Sequence, residues 1–140
     1  MHVFVTGAAG FIASHTCERL LQRGDRVTGI DAFDYGYDPA LKEANARLLS
    51  RYDHFRLHRG DIRDRALLER IFDDDQPDVV VHLAARAGVR PSLLDPTSYI
   101  DINLTGTTRI LEAMHARGMD RLVFASSSSV YGSRDKGPFR

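Results

Sequence analysis

The sequence predicts an α/β fold built on a parallel, doubly wound sheet of about five strands. Apolar periodicity alternates between strand-like and helix-like patterns along the whole chain, as strand–helix–strand units with right-handed crossovers require. Two strand candidates, Val79–Leu83 and Leu122–Ala125, are nearly continuous apolar runs, the pattern of strands covered on both faces. A turn carrying two glycines, Gly7-Ala8-Ala9-Gly10, stands between the first strand candidate and the first helix candidate.

The elements follow in order. Val3–Thr6 is the first strand, and Phe11–Arg23 the first helix, with Phe11, Ile12, Leu20 and Leu21 expected on one side. Gly24 supplies its stop. Arg26–Ile30 is the second strand. Asp34–Arg51 reads as a turn around Gly36 followed by a helix over Pro39–Leu49. Phe55–His58 is the third strand, and Arg65–Asp74 a helix carrying Leu67, Leu68, Ile71 and Phe72 ahead of Pro77. After the fourth strand, Val79–Leu83, the longest helix runs from about Thr97 to Arg117. Ile100, Leu104, Thr107, Leu111 and Met114 set its expected apolar stripe, Pro96 opens it and Gly118 closes it. Leu122–Ala125 is the fifth strand, and the stretch from Tyr131 to Arg140 reads as an exposed loop.

Length and composition bound the function. The 140 residues make a single domain, 1–140, able to bury roughly two thirds of its unfolded surface without a disulfide or metal. Nineteen basic and nineteen acidic side chains cancel, so no net field draws in nucleic acid or an anionic membrane. No apolar run reaches the roughly 18–20 residues that span a bilayer. The single cysteine, Cys17, excludes an internal disulfide, and six histidines, with no H-x-E pattern among them, give no metal site. The first residues carry no basic leader, which makes the cytoplasm the expected compartment.

The glycine turn carries the first chemistry. Glycines there let the backbone approach a pyrophosphate, and the helix N-terminus adds free N–H groups and a favourable dipole. Ala13 meets the need for a small residue where the helix packs on the strand. A G-x-x-G turn alone also fits any tight turn. Asp31, after the second strand and 21 residues beyond Gly10, adds a carboxylate at the spacing from which it can hold the adenosine ribose. It would repel a 2′-phosphate, and Ala32 supplies no cation to compensate, so NAD is expected over NADP. A turn residue after a strand is its other reading.

Further blocks follow the later strands: Gly60-Asp61-Ile62-Arg63-Asp64, then the stretch from His82 to Arg90, Asn103-Leu104-Thr105-Gly106-Thr107, and Phe124 through Gly132 with its run Ser126–Ser129. With the glycine turn, these ordered blocks resemble the extended short-chain dehydrogenase/reductase family over all 140 residues, with its Rossmann-type fold. The chain looks most like the NAD-dependent nucleotide-sugar 4-epimerases of the UDP-glucuronate type, with the UDP-galactose type as the alternative.

The resemblance implies NAD as cofactor. Gly7, Gly10, Phe11 and Ile12 would cradle its pyrophosphate, Asp31 its ribose, and Asp61 with Ile62 would bracket the adenine. Leu83, Ala84, Ala85 and Ala87 would line the cofactor cleft, and Asn103 would buttress the site from the long helix. Ser127 matches the hydroxyl that bonds the reacting sugar oxygen, beside Ser128. A solvated serine loop is the other reading. Dehydratases of the family carry an Asp-Glu pair at the positions matching Ser128 and Ser129, which argues against that reaction because serine is a poor acid or base at neutral pH. Arg90 suits a sugar carboxylate, and reads equally as a loop arginine facing solvent. Where this chain has Ala13 the family usually has glycine.

The family's reaction also needs a tyrosine with a lysine four residues on. Tyr35, Tyr37, Tyr52, Tyr99 and Tyr131 have no such lysine. The expectation is therefore the N-terminal portion of an epimerase, lacking the Tyr/Lys helix and the half that grips the nucleotide-sugar, and inactive alone. Homodimers are implied for the complete enzyme, and self-association through the apolar edge of the fifth strand for this portion. A non-catalytic NAD-binding module, or half of a split enzyme, is the alternative. A redox sensor built on Cys17 is a weaker one.

Overall fold

The computed structural model describes residues 1–34 and 38–132; the expected turn around Gly36 and the expected loop beyond Gly132 lie outside the described residues. Strands β1 (His2–Thr6), β2 (Arg26–Asp31), β3 (Phe55–Arg59), β4 (Val79–His82) and β5 (Leu122–Phe124) form one sheet in the order β3-β2-β1-β4-β5. Every pairing is parallel. The winding reverses between β1 and β4, so the connections leaving their carboxyl ends diverge and open a crevice there.

Alternation along β1 feeds two cores. Val3 and Val5 join Cys17, Leu21, Val27 and Leu49 under helices α1 (Phe11–Gln22) and α2 (Pro39–Leu49). Phe4 points to the opposite face, with Ile30, Leu68, Phe72 and Ile110 beneath α3 (Arg65–Asp75) and the last helix. Asp38 caps α2 through Ala40 N at 2.9 Å, and Asp64 caps α3 through Leu67 N at 3.0 Å, each satisfying a free helix-end donor. No helix among the described residues is long and apolar enough to cross a membrane.

The long helix departs from expectation. It is preceded by a short helix, α4 (Val89–Leu94), and is itself divided into α5 (Pro96–Ile100), a π turn (Asp101–Thr105) and α6 (Gly106–His115). Its buried residues are Gly106, Ile110, Ala113 and Met114, while Ile100, Leu104 and Leu111 of the expected stripe are exposed. The reason is closeness of approach. A Cβ on Gly106 would lie 2.4 Å from Ile62 Cδ1, so the first turn of α6 meets the core through a glycine, and Ile110 and Met114 pack further along.

The same correction applies to α1. Ala13, Ser14, Cys17 and Leu21 are buried, whereas Phe11 and Ile12 are 64% and 66% exposed at the mouth of the crevice. Burial pushes the Cys17 thiol up to about 12, so it is an inert packing residue and the sensor reading loses its thiolate. β5 is not covered on both faces: Val123 and Phe124 are more than half exposed, and among the described residues β5 pairs only with β4.

Candidate functional site

The crevice at the carboxyl ends of β1 and β4 is a cleft of about 710 Å³. Its floor is the turn after β1. Gly7 adopts φ +70°, and a Cβ there would lie 3.0 Å from Ala84 Cα, so β1 and β4 can close on each other only through glycine. Gly7 N and Ala8 N both donate to Ile30 O, Gly10 N donates to Gly7 O, and the Asn45 amide donates to Ala9 O at 2.9 Å. The turn is thus held from three sides. Gly10 then caps α1 with no side chain over its first N–H groups. A turn with no Cβ at Gly7 and Gly10, leading into a helix N-terminus with no side-chain cap, fits the pyrophosphate of a dinucleotide.

Asp31 ends β2 beside this turn, buried. One carboxylate oxygen accepts from Ala9 N at 3.1 Å; the other accepts from Phe33 N at 2.8 Å and from Lys42 Nζ at 2.8 Å. Ala32 supplies no cation, as expected, but Lys42 on α2 brings one to the Asp31 carboxylate. Across the cleft, Asp61 accepts from Arg63 N and from the Arg63 guanidinium. That guanidinium holds the Asp61 carboxyl below its ordinary range, so it stays ionised as an acceptor.

Gly7, Gly10, Phe11, Ile12, Asp31, Asp61 and Ile62 all line the cleft, as do Leu83, Ala84, Ala85 and Ala87 after β4. Asn103, Arg90, Ser127 and Ser128 do not. Asn103 lies one layer behind: its Oδ1 accepts from Arg86 N at 2.8 Å and its Nδ2 donates to Arg86 O at 3.0 Å, clamping the main chain of the cleft wall. Arg90 is exposed on α4, and Arg86 reaches the cleft instead, tied to Ser98 and Asp95. Ser127 and Ser128 are exposed beyond β5, at the carboxyl edge of the sheet. Sequence reasoning missed Lys42, Asn45 and Arg86.

A directed hydrogen-bond chain braces the β4 wall. Thr6 Oγ1 accepts from Leu83 N and Ala84 N, which leaves its proton for His82 Nδ1, 2.6 Å away. His82 Nε2–H then donates to Thr107 Oγ1 at 2.9 Å, and Thr107 donates to the Asn103 carbonyl. The network assigns a neutral, Nε2-protonated imidazole. Burial lowers the His82 pKa below its ordinary 6.5. The folded chain therefore binds this proton less tightly than the unfolded chain. Stability from His82 is complete above about pH 6.5 and is lost as pH falls below it. Imidazole ¹⁵N shifts should report the neutral Nε2–H form as the majority species of His82 at pH 6.5, and His82→Asn should flatten the fall in melting temperature under pH 6.5. A His82 ring half protonated or more at pH 6.5 would refute the assignment.

The sequence model of the NAD dependent epimerase/dehydratase family matches residues 3–140. The chain is 46% identical over 138 residues to UDP-glucuronate 4-epimerase 3 of Arabidopsis thaliana, covering 98% of this chain and 32% of that protein. It is 40% identical over 139 residues to Protein CapI of Staphylococcus aureus, covering 99% of this chain and 41% of that one. Among solved structures it is similar to UDP-glucuronic acid 4-epimerase from Bacillus cereus, crystallised with UDP-glucuronic acid and NAD, at TM-score 0.89 and 38% identity. That match covers 99% of this chain and 44% of the other. The chain thus spans about a third to two fifths of the length of these relatives.

Proposed function

Because the chain belongs to the NAD dependent epimerase/dehydratase family, we propose that it is the NAD-binding portion of a nucleotide-sugar 4-epimerase of the UDP-glucuronate type. The observation that carries this reading is the turn between Thr6 and Ile12, without a side chain at Gly7 and Gly10, set beside the buried Asp31 carboxylate. Gly7 and Gly10 admit the pyrophosphate, Asp31 receives the adenosine ribose, and Asp61 with Ile62 receives the adenine. Ala84, Ala85 and Ala87 leave room along the wall for the rest of the dinucleotide, and Asn103 keeps that wall in place through Arg86. NAD, when bound, supplies a reversible hydride acceptor for the sugar C4. Ser127, beside Ser128, is proposed to hydrogen-bond the sugar, and Arg90 to receive its carboxylate.

The relatives that act on UDP-glucuronate support that substrate over a neutral hexose. A Tyr with Lys four residues on is absent from the 140 residues, and a phenolic base of that kind contributes roughly 10²–10⁴-fold. Titrating the chain with NAD⁺ is expected to give saturable binding below millimolar concentration. Incubating it with NAD⁺ and UDP-glucuronate is expected to leave the sugar unchanged. No binding at millimolar NAD⁺ overturns the reading; formation of the 4-epimer overturns the assignment of the base to residues outside this chain.

A further inference from the structure

Lys42 places a buried cation at the ribose end of the cleft. Its Nζ lies 2.8 Å from Asp31 Oδ1 and 3.9 Å from Asp34 Oδ1, and only 10% of its side chain is exposed. An ammonium carries three donors. Among the described residues Lys42 spends one of them, on Asp31, and both residues line the cleft. The Asp31 carboxylate, by contrast, already accepts from Ala9 N, Phe33 N and Lys42 Nζ, close to its capacity of about four.

We infer that Lys42 is a specificity-determining residue for the cofactor, a latent 2′-phosphate site that Asp31 keeps masked. The inference rests on the NAD reading above. A ribose diol offers both kinds of partner, a hydroxyl proton for Asp31 and hydroxyl oxygens for the free N–H groups of Lys42. A 2′-phosphate offers acceptors only. Lys42 can satisfy them, but the Asp31 carboxylate repels them, and the partly exposed Asp34 adds a more strongly screened repulsion. The preference for NAD is therefore set by a charge balance between two side chains on different elements. It does not follow from Asp31 standing beside a neutral Ala32. Taking the charge from Asp31 while keeping its shape should leave the ammonium facing the site.

The test titrates NAD⁺ and NADP⁺ into the wild-type chain, Asp31→Asn, and Asp31→Asn combined with Lys42→Met or with Lys42→Arg, each checked by melting. The double variants avoid stranding a buried carboxylate without its cation. Wild type is expected to prefer NAD⁺. Asp31→Asn should move the affinity ratio toward NADP⁺ by roughly tenfold to a hundredfold, the worth of hydrogen bonds to a charged group. Lys42→Met in that background should remove the gain, and Lys42→Arg should keep it. Where Asp31→Asn melts early, Asp31→Ala should give the same change of ratio. If the Lys42→Met double variant holds NADP⁺ as tightly as Asp31→Asn, or if Lys42→Arg loses the gain as Lys42→Met does, the inference is overturned while the NAD reading stands. A wild-type chain that takes up no NAD⁺ overturns the NAD reading itself.

Discussion

Gly7→Val is expected to abolish NAD⁺ binding, a loss beyond about a hundredfold, while lowering stability by only about 1–3 kcal/mol. Two effects add. The backbone at Gly7 has φ +70°, which a β-branched residue adopts only under strain. The new Cβ would also stand 3.0 Å from Ala84 Cα and 3.1 Å from Ala84 N, both main-chain atoms that cannot swing aside. The strand ends must part, and the branched side chain enters the space assigned to the pyrophosphate. Gly24→Ala separates the two effects. Gly24 has φ +90° with open space around the position of a Cβ, so this variant should cost about 1 kcal/mol and leave binding unchanged. Calorimetric titration with urea unfolding of both variants provides the check. Equal NAD⁺ affinity in Gly7→Val and wild type would place the pyrophosphate elsewhere.

The sheet and the cleft floor were legible in the sequence because their signals are local. Strand period, the positions of Gly7 and Gly10, and the interval to Asp31 all lie along one stretch of chain. The buried faces of α1 and α6 were legible only in part, because hydrophobic patterning favours bulky residues and close approach favours small ones. Leu21 and Met114 of the expected stripes are buried, but Phe11, Ile12, Leu104 and Leu111 are exposed, and Ala13, Cys17, Gly106 and Ala113 take contacts the stripes did not include. Asn103 was the visible trace of the π turn, a polar residue interrupting an apolar run, which is where such turns often sit near a site. Lys42 left a fainter one. The Asp38-Pro39 pair fixes where α2 starts, and this places Lys42 in the first turn. A lysine so placed nevertheless reads as solvated until the fold brings it against Asp31.

Phe72→Ala is expected to cost about 3–5 kcal/mol, the range for emptying a large aromatic site. Phe72 is fully buried, its ring packs edge-on against Phe4 at 5.0 Å between centroids, and the Arg117 guanidinium stands 5.7 Å from the ring centre. Phe4 is the inward side chain of β1 on that face and is itself fully buried, so the cavity opens beneath the central strand, where neighbours on both sides resist collapse. Against a total stability of about 5–15 kcal/mol, that is a large share. Yet Phe72 lies on the side of the sheet covered by α3, away from the glycine turn, and does not line the cleft. The folded fraction should bind NAD⁺ as wild type does, the reverse of the Gly7→Val outcome. Urea unfolding measures the first quantity and titration well below the melting temperature the second. A Phe72→Ala chain as stable as wild type would mean that the Phe4–Phe72 contact carries little of the core. One that is folded but unable to bind would mean that the cavity disturbs the cleft through Ile62 and Ala84, which touch both.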